Sequence, residues 1–202
     1  MLTDAQIERY GRQIILPEVG GRGQERLLAA RVAVAGDGPA AETAVTLLAR
    51  AGVGMLEVSD DIGPLPELSP DCRVCRQPGS SEGPMADVLV RLLDGLEDAR
   101  RPVVFGMGGG DGICVLTLVG RPCMACYAGA LGPGGLGDGG AASALHPAPA
   151  RLALGALAAN EALRVLLSPP AHGRLTRLSF KDGVGTARDL ATAGCSYCNS
   201  PP

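Results

Sequence analysis

The sequence predicts an α/β fold, a mostly parallel sheet with helices on both faces, whose C-terminal part is stapled by a four-cysteine zinc site. Three observations lead there. The β-branched run Arg31-Val-Ala-Val-Ala35 passes straight into glycines; an amphipathic helix over Glu42–Ala51 and a second apolar run over Gly52–Val58 complete a β-α-β unit. Toward the C-terminus, Cys123-x2-Cys126 and Cys195-x2-Cys198 have the spacing of paired metal ligands.

Composition bounds the rest. At 202 residues and 46% hydrophobic content the chain can bury one core and is read as one domain. Within it, 1–30 forms an N-terminal helical arm, 31–120 a Rossmann-like part, and 121–202 a crossover loop, a last helix and a zinc-clamped tail. A net charge of −3 gives no electrostatic reason to expect nucleic acid or an anionic membrane surface as a partner. Aromatics at 2%, with no Trp, leave no stacking platform for bases. No stretch reaches the roughly 18 apolar residues of a membrane span, and Met1–Arg9 lacks the apolar core of a leader, so the expected location is cytoplasmic. In that compartment seven cysteines read as metal ligands or free thiols.

Along the chain, Thr3 before Ile7, Tyr10 and Ile14 predicts a capped helix that ends at Pro17. A short helix over Gln24–Ala30 leads into the first strand. After the β-α-β unit, Ile62–Pro84 is rich in Pro, Gly and Ser and is expected to be loop. Val88, Leu89, Leu92 and Leu93 have helical spacing within Met85–Leu96. Pro102–Phe105 and Ile113–Val119 read as strands separated by the glycine run Gly106–Gly112. Arg151–Leu167 is an Ala/Leu helix stopped by Pro169, and a final strand lies near Arg174–Phe180.

Zinc is held tetrahedrally by thiolates, and two Cys-x2-Cys turns supply all four ligands. With no position left for water, such a metal is structural. Cys72-x2-Cys75 is a rival zinc pair, a redox pair or two unpaired thiols; Cys114, inside a strand, reads as core packing.

The segment Ile7-Glu-Arg-Tyr-Gly-Arg-Gln-Ile-Ile-Leu-Pro17, then Gly23-Gln24, Leu27, Gly36-x-Gly38, Ala51-Gly-Val-Gly54 and Asp60, resembles the opening of the ThiF/MoeB/HesA superfamily of ubiquitin-activating-enzyme-like adenylyltransferases. Gly112–Leu118, Ala159-Asn-Glu-Ala-Leu163 and the two cysteine pairs resemble its later strand, last helix and zinc ligands. The resemblance implies Gly36, Gly38 and Asp60 as nucleotide contacts, and Arg12 as an arginine donated across a dimer interface to the partner's nucleotide.

Other residues depart from the family pattern. The glycine loop reads Gly36-Asp-Gly-Pro-Ala-Ala41, with a proline that removes an N–H donor, and its plainer reading is a tight strand-to-helix turn. The family's arginine element is replaced by Glu67–Arg73, with Arg76 as the nearest relic; Met85 stands where a lysine belongs. The strand with its magnesium-binding Thr-Asp-Asn element is expected to fall in a deletion after Asp60. ATP and magnesium are therefore doubtful cofactors, and structural zinc the expected one.

Two functions follow. One is a zinc-binding pseudoenzyme that forms a homodimer or a heterodimer with an active relative and binds a ubiquitin-like sulfur carrier or a peptide. The other is an active ATP-dependent adenylyltransferase, with Arg12, Arg73 or Arg76 replacing the missing cations.

Overall fold

The computed structural model describes residues 1–77, 86–92, 101–109, 112–119, 148–169 and 172–190. The elements in chain order are α1 (Asp4–Ile14), α2 (Gly20–Ala29), β1 (Arg31–Gly36), α3 (Gly38–Arg50), β2 (Met55–Ser59), β3 (Arg73–Gln77), β4 (Val88–Leu92), β5 (Val103–Gly109), β6 (Gly112–Leu118), α4 (Ala148–Leu167), β7 (Gly173–Ser179) and β8 (Gly185–Leu190). Thr3 caps α1 as expected. Its Oγ1 accepts from the Gln6 N–H at 3.3 Å, and Gln6 Oε1 accepts from the Thr3 N–H at 3.1 Å, a reciprocal capping box.

The strands form an 8-stranded sheet in the order β3-β2-β1-β4-β5-β6-β7-β8. From β3 to β5 all ladders are parallel; β6, β7 and β8 continue antiparallel. Strand alternation gives the sheet two faces. On the first, Val32, Val34, Leu56, Val58, Val90, Val104 and Val115 pack under α3 and α4. Gly155 lets the two helices meet closely, because a Cβ there would overlap the Ala40 carbonyl oxygen. On the second, Ala33, Leu89, Val103, Phe105, Leu116 and Leu175 form a smaller cluster. Among the described residues that cluster is built from β-strand residues and Ala86.

Several expectations are corrected. Met85–Leu96 contains a strand, not a helix: Val88–Leu92 is buried throughout and paired on both sides, and a short apolar run buried on both faces has no period to separate the two states. Ile62–Pro84 contains β3, whose polar Arg73, Arg76 and Gln77 hid an edge strand. The glycine run is mostly strand, with Gly109 paired to Gly112. Strand β8 was not foreseen, and α2 and α3 begin at Gly20 and Gly38, earlier than their apolar spacing suggested.

Candidate functional site

Parallel sheets bind ligands where strands end and helices begin. Here that edge is built from the β1–α3 turn and the end of β2. Gly36 has φ +131° and Gly38 φ +60°, both left-handed. Ser59, 5% exposed, donates its hydroxyl to the Gly36 carbonyl at 3.1 Å, which sets the two turns side by side and brings Asp60 next to the glycine loop. Gly36, Gly38 and Asp60 are therefore gathered at one edge.

The chemistry of this edge is poor for phosphate. Pro39 occupies the first turn of α3, where it supplies no N–H, and Asp37 at the N-cap makes no side-chain capping bond. Gly36 has a packing reason to exist: a Cβ there would overlap the Leu92 carbonyl oxygen on the neighbouring strand. Arg76 reaches the edge but is committed. Its Nη1 donates to the Ile62 carbonyl at 2.6 Å and to the Asp60 carbonyl at 3.5 Å, and its Nη2 to the Gly63 carbonyl at 2.9 Å, so the guanidinium holds the end of β2 in shape. Arg73 pairs in register with Met55, at the opposite end of the sheet. Among the described residues, then, this edge has a proline in the phosphate turn and an arginine bonded to backbone carbonyls.

Arg151 is the side chain that sequence reasoning missed. Its Nη1 lies 3.8 Å from the point a Cβ on Gly38 would occupy, so the start of α4 sets a guanidinium beside the glycine turn. Its place depends on the contact of α4 with α3, which no local pattern announces.

The N-terminal arm is a second site. Its inner side is locked to the body through Asp71 in the β2–β3 connection. Tyr10, 1% exposed, donates to Asp71 Oδ2 at 3.0 Å and shares a 2.8 Å bond with Ser69 Oγ; Gln6 Nε2 donates to Asp71 Oδ1 at 3.1 Å, and Arg9 forms an ion pair with the same carboxylate. Burial alone would raise the Asp71 pKa, but the donors Gln6, Tyr10 and Arg9 outweigh it and hold the carboxyl below the usual range. Burial, with Asp71 nearby, pushes the Tyr10 phenol up against the opposing bond from Ser69. Further along, Gln13 Nε2 and Gln24 Nε2 both donate to the Ala51 carbonyl, at 3.3 and 3.1 Å.

The outer side of the arm is different. Ile7, Ile15 and Leu16 are 49%, 79% and 47% exposed. Arg12 is exposed in the last turn of α1 and makes no hydrogen bond or ion pair among the described residues.

The cysteines divide. Cys123, Cys126, Cys195 and Cys198, the expected zinc ligands, lie outside the described residues. Cys72, Cys75 and Cys114 are free thiols. Cys72 packs with Val74 against the helix-covered cluster, and burial pushes its thiol up to about 11. Cys75 lies in β3 in register with Glu57, on the other face, so this Cys-x2-Cys is a strand with divergent sulfurs and not a chelating turn. Burial raises the Cys114 thiol against the influence of Arg177 and Arg188. Among the described residues no helix is long and apolar enough to cross a membrane.

Comparison with known proteins adds the following. Residues 10–61 match the ThiF family model. The SAMP-activating enzyme E1 of Haloferax volcanii is 50% identical over 60 residues, 30% of this chain and 22% of that protein. Protein HesA, vegetative, of Trichormus variabilis is 53% identical over 55 residues, 27% of this chain and 21% of that protein. The adenylyltransferase and sulfurtransferase uba4 of Pyricularia oryzae is 49% identical over 59 residues, 29% and 12% of the respective chains. The matched stretch thus spans less than a quarter of these relatives. Among solved structures, PaaA superposes with a TM-score of 0.65 over 94% of this chain and 84% of its own, at 16% identity. Escherichia coli MccB does so with a TM-score of 0.67 over 96% and 72%, at 15% identity. These likenesses are of fold. The sequence match over residues 10–61, at the arm and first β-α-β unit, places the chain's relatives in the ThiF/MoeB/HesA superfamily.

Proposed function

We propose that this chain is a ThiF/MoeB-like pseudoenzyme, a cytoplasmic partner-binding subunit that does not itself adenylylate. The observation that carries this reading is the arm. A helix held on its inner side presents Ile7, and just past its C-terminal end Ile15 and Leu16, to solvent near Arg12, which has no partner among the described residues. Exposed apolar side chains clustered on a preorganised element are the makings of an interface. The partner is a second copy or an active relative, whose nucleotide Arg12 would contact, and the assembled pair serves a ubiquitin-like sulfur carrier or a peptide. Supporting the lack of chemistry are Pro39 at the phosphate turn, the commitment of Arg76 and the place of Arg73 at the far end of the sheet. Loss of one preorganised donor typically costs about 100- to 1000-fold in rate, and several losses compound.

Mixing the chain with an active relative tests this. The relative's rate of pyrophosphate exchange should rise on complex formation, and Arg12→Ala should abolish the rise while leaving the complex intact. An unchanged rate with Arg12→Ala overturns the donated arginine, and failure of Ile15→Asp to weaken any association overturns the arm as interface.

One observation favours the second reading, an active adenylyltransferase acting on the C-terminal carboxylate of a ubiquitin-like protein or peptide: Arg151 beside the Gly38 turn supplies a cation where the others are gone. Pyrophosphate exchange by the chain alone, lost in Arg151→Ala, would decide for it.

Structural zinc belongs to the proposal on the spacing of Cys123, Cys126, Cys195 and Cys198. One zinc per chain is expected by elemental analysis, with zinc and thermal stability lost together in Cys195→Ser. Full stability in strong chelator would remove it.

A further inference from the structure

The connection between β2 and β3 has a period of its own. Ile62 is buried, Leu65 and Leu68 pack against the helix-covered cluster, and Asp71 is bonded to the arm, so every third residue faces inward. Between them Pro64, Pro66, Glu67 and Pro70 are exposed. A three-residue repeat is that of the polyproline II helix, a conformation without internal hydrogen bonds. The local chemistry agrees. Prolines at 64, 66 and 70 fix their own φ and bias Gly63, Leu65 and Ser69 toward extended backbone. Among the described residues, no backbone group of residues 64–68 makes a hydrogen bond.

Both ends of the stretch are pinned. Arg76 donates to the Ile62 and Gly63 carbonyls at 2.6 and 2.9 Å, while the Tyr10 hydroxyl meets Ser69 Oγ at 2.8 Å and Asp71 Oδ2 at 3.0 Å. The strip is therefore ordered before anything docks on it, which lowers the entropic cost of association.

Charge and composition select the occupant. Residues 60–71 hold four acids, Asp60, Asp61, Glu67 and Asp71, and neither Lys nor Arg. Asp71 is taken by Arg9, whereas the carboxylates of Asp61 and Glu67 are exposed and have no partner among the described residues. Exposed proline rings pack best on aromatic faces, which a second copy is badly placed to supply. Of the three Tyr and two Phe in the chain, Tyr10 and Phe105 are buried.

We propose that the outward strip of residues 61–70 is a preformed ligand for a separate protein, one whose groove is lined by aromatic rings and flanked by Lys or Arg. Pro64 and Pro66 pack on the rings, and Asp61 and Glu67 meet the flanking cations. The strip binds in the same way whether or not the chain adenylylates.

The full chain, isotope-labelled for NMR, is titrated with purified WW and SH3 domains, which carry aromatic-lined grooves, each prepared with either Lys or Glu at the groove rim. The Lys-rim forms should bind, shift the amide signals of Leu65, Glu67 and Leu68, and weaken as salt is raised. Replacing Pro64 and Pro66 together by Ala should weaken binding about tenfold or more, and so should Glu67→Lys. Both variants should melt near the parent, because the replaced side chains are exposed; if the proline variant melts early, Glu67→Lys decides. No binding by any Lys-rim domain, equal binding by the Glu-rim forms, undiminished binding by the variants, or signal shifts confined to α1 would each overturn the proposal.

Discussion

Replacing Gly36 and Gly38 by alanine, one at a time and without nucleotide, separates folding from phosphate binding as the reason for the glycine loop. Both positions have left-handed φ, +131° and +60°, so both variants carry a conformational penalty of about 1–2 kcal/mol. They differ in what the new methyl meets. At Gly38 the nearest atom is Arg151 Nη1 at 3.8 Å, an ordinary contact. At Gly36 the Cβ would overlap the Leu92 carbonyl oxygen, in the very register pair that joins β1 to β4 at the core of the sheet. Relief requires a shift of the ladder, for which overpacking data give about 1–3 kcal/mol more. Gly36→Ala should therefore lose about 2–5 kcal/mol and Gly38→Ala about 1–2 kcal/mol, read as urea midpoints at constant slope. If the two variants unfold at the same urea concentration, or if Gly36→Ala matches the unmodified chain, the steric account of the loop fails.

Two further outcomes follow from the site. Asp71 has a lowered folded-state pKa, so its contribution is present above the unfolded value near 3.9 and is lost as the pH falls through the folded value. Asp71→Asn should melt earlier than the parent at neutral pH and converge with it in acid; a constant gap down to about pH 2 would mean that the carboxylate's charge does not hold the arm. With its thiol pushed up to about 11, Cys72 should resist iodoacetamide at pH 8 while Cys75 is alkylated, and mass spectrometry showing equal labelling would contradict the opposed facing of the two thiols.

How much of this was legible depended on range. The capping box of α1 and the strand-turn-helix at Gly36 lie within a few residues, and the sequence pattern found them. The β4 segment was misread because Val88-Leu-Val-Arg-Leu92 is buried on both faces, which erases the alternation that marks a strand. Strand β8 was missed for the opposite reason: it buries almost nothing, so its residues carry no apolar signature. Arg76 was recognised as a relic cation, but its three carbonyl partners belong to the chain's own turn, and only the register of β3 against β2 reveals that it is spent there.

The same distinction governs what similarity can transfer. The match to the family model falls on residues 10–61, and several residues of that stretch do work that is architectural. Tyr10 reaches Ser69 and Asp71, 59 and 61 residues away; Gln13 and Gln24 converge on the Ala51 carbonyl. Gly52, at φ +93°, must lack a side chain because a Cβ would overlap Gln24 Nε2 and approach the Tyr10 ring at 3.0 Å. Arm, glycine and amides form one interlocked joint. The matched stretch thus holds two things at once, this joint and the Gly36–Gly38 turn with Asp60, and the joint alone gives a folding reason for several of its residues.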